Sequence, residues 1–196
     1  EEPAPDMVAV FSEVIASIPA DAGYGAVSAT ALNEELADVA PFLVDVREVS
    51  EIEANGFIAG AINIPIRGLL ENLDKLPGLD EPIVIYCGSG HRGGIAIALL
   101  KGLGYTNVRN LGGGMGAWTK AGLPVETGLP AEAAAISTPI VENQALFTAF
   151  NDFLTSMPDS FYAIGAAPLN EALAGGATPV FIDVRSQAEW DKDGYI

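Results

Sequence analysis

The chain has 196 residues, 49% of them hydrophobic, with 26 acidic against 9 basic side chains and a formal net charge of −17. That is enough apolar material for one large domain or one and a half smaller ones, and the charge argues against nucleic acid or an anionic membrane surface as main partner. A single cysteine, Cys87, and a single histidine, His91, exclude an internal disulfide and a cysteine-rich metal site, and no apolar run is long enough to span a bilayer.

The start, EEPAPD, lacks Met and fits either the end of a removed export signal or a trimmed chain, so the compartment stays open. Met7, Phe11, Val14, Ile15 and Ile18 recur at helical spacing and predict an amphipathic helix. "AVSA" predicts a short strand and "TALNEELA" a helix. "PFLVDV" is an apolar, β-branched run that predicts a buried strand. "EVSEIEAN" predicts a helix ending at Gly56, where a C-cap favours glycine. Strand "AINIPI", helix "LLENLDKL" and strand "PIVIYC" follow. "GIAIALLKGLG" predicts a helix closed by Gly104, "NVRNL" a last strand and "GMGAWTKAG" a short helix. Strands alternating with helices predict an α/β fold whose parallel sheet is covered on both faces.

The chain then begins again. "VDVREVSEIEANGFI" (44–58) matches "IDVRSQAEWDKDGYI" (182–196) at a constant offset of 138, from Asp45 with Asp183 to Ile58 with Ile196. "ALNEEL" (31–36) matches "PLNEAL" (168–173), and "VFSEVIASIP" (10–19) resembles "AFNDFLTSMP" (149–158). The expected organisation is an N-terminal helix and extension (1–25), a complete unit (26–128), a small-residue, Pro-dotted linker (129–143) and the opening of a second copy (144–196). "PVFID" in that copy reads as a strand built for burial in a sheet. Its neighbours "AINIPI", "PIVIYC" and "NVRNL" have no counterpart here, so a longer chain or a second chain is expected to complete the sheet.

"YCGSGHRGG" (86–94) carries the chemistry. Gly88-x-Gly90-x-x-Gly93 has the spacing of a dinucleotide loop, but the next strand ends in Arg109, Asn110 and Leu111, with no carboxylate to hold a ribose. A lone cysteine after an apolar run is by default an inert core residue. Here the cysteine ends a strand and faces the start of a helix, with several backbone amides and Arg92 around it. Such a loop suits a thiolate and an anion bonded to it.

"YCGSGHRGGIAIALLKGLGYTNVRNLGGGMGAW" resembles the active-site half of the rhodanese-type sulfurtransferases, and "LVDVREVSEIEANGFIAGAINIPI" resembles that family's other signature. The resemblance covers about residues 26 to 128 and part of a second unit. It implies a five-stranded parallel sheet and a tandem arrangement with the second domain cut short. Cys87 is implied as the sulfur-accepting nucleophile and Arg92 as the loop's terminal arginine. Gly88, Ser89, Gly90, His91 and Gly93 are implied as the cradle, and Asp45 and Arg47 as supports. The resemblance further implies transfer of sulfane sulfur from thiosulfate or a small-molecule or protein persulfide to a thiol or cyanide acceptor, with no metal or organic cofactor. The alternative is a non-turnover sulfur-relay or protein-binding module. Trp118 matches a core aromatic. Phe57 stands where the family has histidine, Ala59 where it has proline, Gly88 where many relatives carry arginine and Gly93 where serine is frequent. The four residues between Cys87 and Arg92 are one fewer than in the related phosphatases, which favours a single sulfur over a tetrahedral phosphate.

Overall fold

The computed structural model describes residues 4–18 and 23–194, in two compact units that divide between Met157 and Pro158. The first three residues and Ile196, the last partner in the repeat, lie outside the described residues.

In the first unit, strands β1 (Ala26–Val27), β2 (Phe42–Asp45), β3 (Ile62–Asn63), β4 (Ile83–Tyr86) and β5 (Val108–Leu111) form one sheet in the order β1-β5-β4-β2-β3. Every pairing is parallel, with Val44 opposite Ile85 on one side and Ile62 on the other. The central strands are the continuous apolar runs. Leu43, Val44 and all four residues of β4 are buried, as strands covered on both faces must be. The edge strands are two residues each, shorter than "AVSA" and "AINIPI" predict, which leaves little open edge.

Helices α1 (Met7–Ala16), α2 (Ala29–Ala37), α3 (Val49–Asn55), α4 (His91–Gly102), α5 (Gly114–Lys120) and α6 (Gln144–Ser156) complete the unit. On one face α2 and α5 close over Leu32, Leu43, Val84, Leu111 and Trp118. On the other, α4 packs on β4 and β5 with α1 against it. Trp118 is a core residue, its indole N–H donating to the Pro124 carbonyl at 2.7 Å.

Three expectations change. "LLENLDKL" (69–76) forms a 3-10 turn, Leu70–Lys75, following another at Ile66–Gly68, because Asn72 leaves helical geometry (φ −121°, ψ 28°) and its side chain donates to the Gly68 carbonyl. Helix α4 starts at His91, so it takes in the end of the glycine loop. Helix α6, read from sequence as the start of the second copy, packs in the first unit. Its Leu146, Phe150 and Leu154 are buried, worth about 1.5–3 kcal/mol each. Phe150 meets Phe11 of α1 with ring centroids 5.8 Å apart and lies over Gly102 of α4, where a Cβ would come within 2.8 Å of the ring.

The second unit holds α7 (Ala166–Ala174) and α8 (Gln187–Asp193). "PVFIDV" is not a strand here: Val180, Ile182 and Val184 are 88%, 82% and 90% exposed, and among the described residues no sheet receives them. Two local features of the first unit recur in the second. Tyr24 (φ 54°) and Gly25 (φ 76°) precede α2, and Phe161 (φ 50°) and Tyr162 (φ 59°) precede α7 in the same left-handed conformation. Arg47 donates to Asp45 at 2.9, 3.1 and 2.6 Å and to the Gly56 carbonyl at 2.7 Å; Arg185 makes the same four bonds, at the same lengths, to Asp183 and Gly194.

Candidate active site

The chain leaves β2 towards β3 and β4 towards β5, although β2 and β4 are neighbours. The crevice beyond their carboxyl ends is therefore a switch point, where open α/β sheets place their sites. Both sequence signatures open into it. Asp45 ends β2, and Cys87 directly follows β4.

Cys87 is 1% exposed. The chain turns sharply after it, because Gly90 takes φ 92°, a left-handed conformation natural to glycine, and caps α4. That turn brings the Gly90 N–H to 3.2 Å from the Cys87 sulfur. The twelve-residue α4 aims its N-terminus at the same place, with its first amides lacking intrahelical acceptors. Ser89 and His91 are exposed, and Gly88 is half-buried, at the mouth of the loop.

Arg92 is turned inward, 8% exposed. Its guanidinium holds Glu51 of α3 through two 2.6 Å bonds and also reaches Cys87. Glu51 raises the Arg92 pKa, with Cys87 adding to the effect, against the opposite pull of burial. In return Arg92 holds the Glu51 carboxyl below the ordinary carboxylate range. Glu51 is fixed a second time by a reciprocal capping box with Glu48 at the start of α3.

Asp45 and Arg47 lie behind the loop. They are buried against each other, and Arg47 stacks over the Tyr86 ring at 5.7 Å. Asn63 donates to the carbonyls of both. This network fixes the corner between β2 and α3. Burial and then the Asp45 carboxylate push the Tyr86 phenol far above its ordinary range, so it stays neutral and accepts the Ile58 N–H at 3.1 Å. Gly56 takes φ 67° and meets the Glu126 backbone so closely that a Cβ would overlap it. Phe57 is buried beside it and pairs with Glu126 in a two-bond antiparallel bridge.

Three contributors were not singled out in the sequence reading. Glu51 is the partner of Arg92. Asn110, at the end of β5, donates to the Gly90 carbonyl at 2.9 Å and fills the space beside Gly93. Its Oδ1 is buried without a hydrogen-bond partner. Gly114 opens α5 at φ 56° against the loop, where a Cβ would overlap the Cys87 carbonyl oxygen. The next two amides, of Met115 and Gly116, donate to the carbonyls of Cys87 and Gly88 at 2.8 and 2.9 Å. The sequence signals were an acid in the first turn of α3, a polar residue one short of the end of β5, and the glycine run 112–114. Asn110 stands where a dinucleotide site would need its carboxylate, and it serves the loop instead.

Among the described residues no cluster of His, Cys, Asp and Glu is arranged to hold a metal ion, and no helix is long and apolar enough to cross a membrane. What the crevice offers is one sulfur that accepts the Gly90 N–H and lies beside a bound guanidinium.

The rhodanese-like domain family matches residues 28–121. A sulfurtransferase of Allochromatium vinosum is 39% identical over 100 residues, which span 50% of this chain and 92% of that protein. The human thiosulfate:glutathione sulfurtransferase is 36% identical over 110 residues, spanning 50% of this chain and 95% of that one. Among solved structures, a thiosulfate sulfurtransferase from Pseudomonas aeruginosa superposes with a TM-score of 0.52 at 26% identity, over 65% of this chain and 25% of that one.

Proposed function

Since this chain belongs to the rhodanese family, we propose that it is a sulfurtransferase that carries sulfane sulfur on Cys87. The carrying observation is the Gly90 N–H at 3.2 Å from the Cys87 sulfur, at the N-cap of helix α4. The names of the relatives support the reaction class.

In the proposed step the Cys87 thiolate attacks the outer sulfur of a donor, a new S–S bond forms, and the donor's own bond breaks with its electron pair leaving on the remainder. For a persulfide R–S–SH the remainder is the thiolate RS⁻. For thiosulfate it is sulfite. The loop amides then hold the persulfide on Cys87, and an acceptor thiolate or cyanide attacks its terminal sulfur and regenerates the Cys87 thiolate, in double displacement. The short loop, four residues between Cys87 and Arg92, suits one sulfur atom better than a tetrahedral oxyanion. Asp45 and Arg47 act as scaffold in this scheme.

We also read residues 158–194 as the beginning of a second rhodanese-like unit, supported by the repeated Asp-x-Arg corner and the repeated left-handed pair before α2 and α7. The mass of the intact protein tests the main reading. Thiosulfate or a persulfide should add one sulfur, about 32 mass units, to wild type and nothing to Cys87→Ser. An adduct that survives Cys87→Ser refutes the assignment, because the chain has no other cysteine.

A further inference from the structure

We infer that Glu51 selects the sulfur donor: by occupying Arg92 it fits the site to a persulfide and against thiosulfate. The inference rests on the reading of Cys87 as the sulfur acceptor.

The arginines around the crevice are matched one to one by acids. Arg47 pairs with Asp45, Arg67 with Glu48 and Arg92 with Glu51, at 2.6, 3.2 and 2.6 Å. All three acids come from the single stretch 45–51, which joins β2 to α3. Arg92 is the arginine nearest the sulfur in sequence and the one that reaches it, and both of its terminal nitrogens are engaged by the two oxygens of Glu51. Such a fork-to-fork pair is the strongest form of the contact. Position 88, at the lip, is glycine. A Cβ there would point between Arg92 and Glu51, 3.7 Å from an atom of each, so the lip adds no charge of its own.

The donors differ in the charge they bring. Attack by the Cys87 thiolate on a protonated persulfide gathers one negative charge, which leaves on RS⁻. Attack on thiosulfate gathers three, one on the attacking sulfur and two on the donor; two leave with sulfite and one stays on the transferred sulfur. Loop amides and a helix N-terminus offer partial charges suited to the first case. The second calls for a full cation, and here the nearest one is already neutralised. A chain with a formal net charge of −17 adds repulsion of its own against a dianion.

The test measures kcat/KM for thiosulfate and for cysteine persulfide, with cyanide as common acceptor, on the full chain and on Glu51→Gln and Glu51→Asp. Glu51→Gln keeps the shape and a hydrogen-bonding oxygen but frees the Arg92 charge. It should raise the thiosulfate-to-persulfide ratio about tenfold. Glu51→Asp keeps the charge and should hold the ratio near the wild-type value, even if both rates fall because the shorter carboxylate pulls Arg92 out of place. A ratio that stays put in Glu51→Gln, or moves equally in both variants, overturns the inference and leaves the sulfurtransferase reading standing. If no donor loads a sulfur on wild-type Cys87, it is the parent reading that fails.

Discussion

Gly93 and Asn110 can be tested as one unit, by adding a single methyl group. Gly93 lies in the first turn of α4 with ordinary helical geometry, so alanine fits its backbone and should gain about 1 kcal/mol of helix propensity. The new Cβ, however, would overlap Asn110 Oδ1 and lie 2.9 Å from its Cγ. Asn110 is pinned by its bond to the Gly90 carbonyl, so it cannot move aside without losing that bond. Overpacking costs about 1–3 kcal/mol and the lost bond about 1 kcal/mol. After subtracting the propensity gain, Gly93→Ala should destabilise by about 1–3 kcal/mol. Urea unfolding of Gly93→Ala, Asn110→Ala and the double variant gives the coupling. With Asn110 truncated the methyl has room, so the double variant should be more stable than the sum of the singles by at least about 1 kcal/mol. If Gly93→Ala stabilises the protein by its propensity alone and the two changes add within about 0.5 kcal/mol, the close approach is not real.

Two further outcomes follow from the packing and the charges. Phe150→Ala removes a ring that is 1% exposed from between α1 and α4, and should cost about 3–5 kcal/mol in urea unfolding; a loss under about 1 kcal/mol would detach α6 from the first unit's core. The Glu51 carboxyl is held below its ordinary value of 4.5 by Arg92, so its contribution to stability is complete above that value and is lost as pH falls through the depressed one. The stability gap between wild type and Glu51→Gln should therefore shrink on acidification below about pH 4.5. A gap that is flat from neutral pH into that range, or one that widens, removes the ion pair as its cause.

The sheet was legible because its strands announce themselves. "PFLVDV" and "PIVIYC" are apolar without interruption, and only burial on both faces explains that. The cysteine loop was legible because a strand, a run of glycines and a helix meet within nine residues. The supports of that loop were harder to read, since they act from a distance in sequence. Glu51 reaches Arg92 across 41 positions and Asn110 reaches Gly90 across 20, and neither residue type stands out where it lies. The 3-10 turns at 66–75 escaped for the opposite reason. Their leucines follow helical spacing, while a single Asn72 side-chain bond to the backbone decides the local geometry. Helix α6 was placed by the repeat with the second copy; its partners Phe11 and Gly102 became visible only with the tertiary packing.

The Asp-x-Arg corner has a kinetic meaning. In the second unit the same bonds are present, although among the described residues the neighbouring apolar residues pair with no strand. Its bonds span two residues from Arg185 to Asp183 and nine from Arg185 to Gly194. Loops that short close in about 10–100 ns, with little entropy to overcome. By contrast, β2 must find β4 across some forty residues of chain, a slower search typical of parallel sheets. Loops that short are expected to close before the sheet pairs. The corner fixes the direction in which the chain leaves β2, and an early corner would put Glu51 near the head of α3 before β4 brings Cys87 and Arg92 to it. On that order the ion pair beside the sulfur would be completed late, from its acidic side.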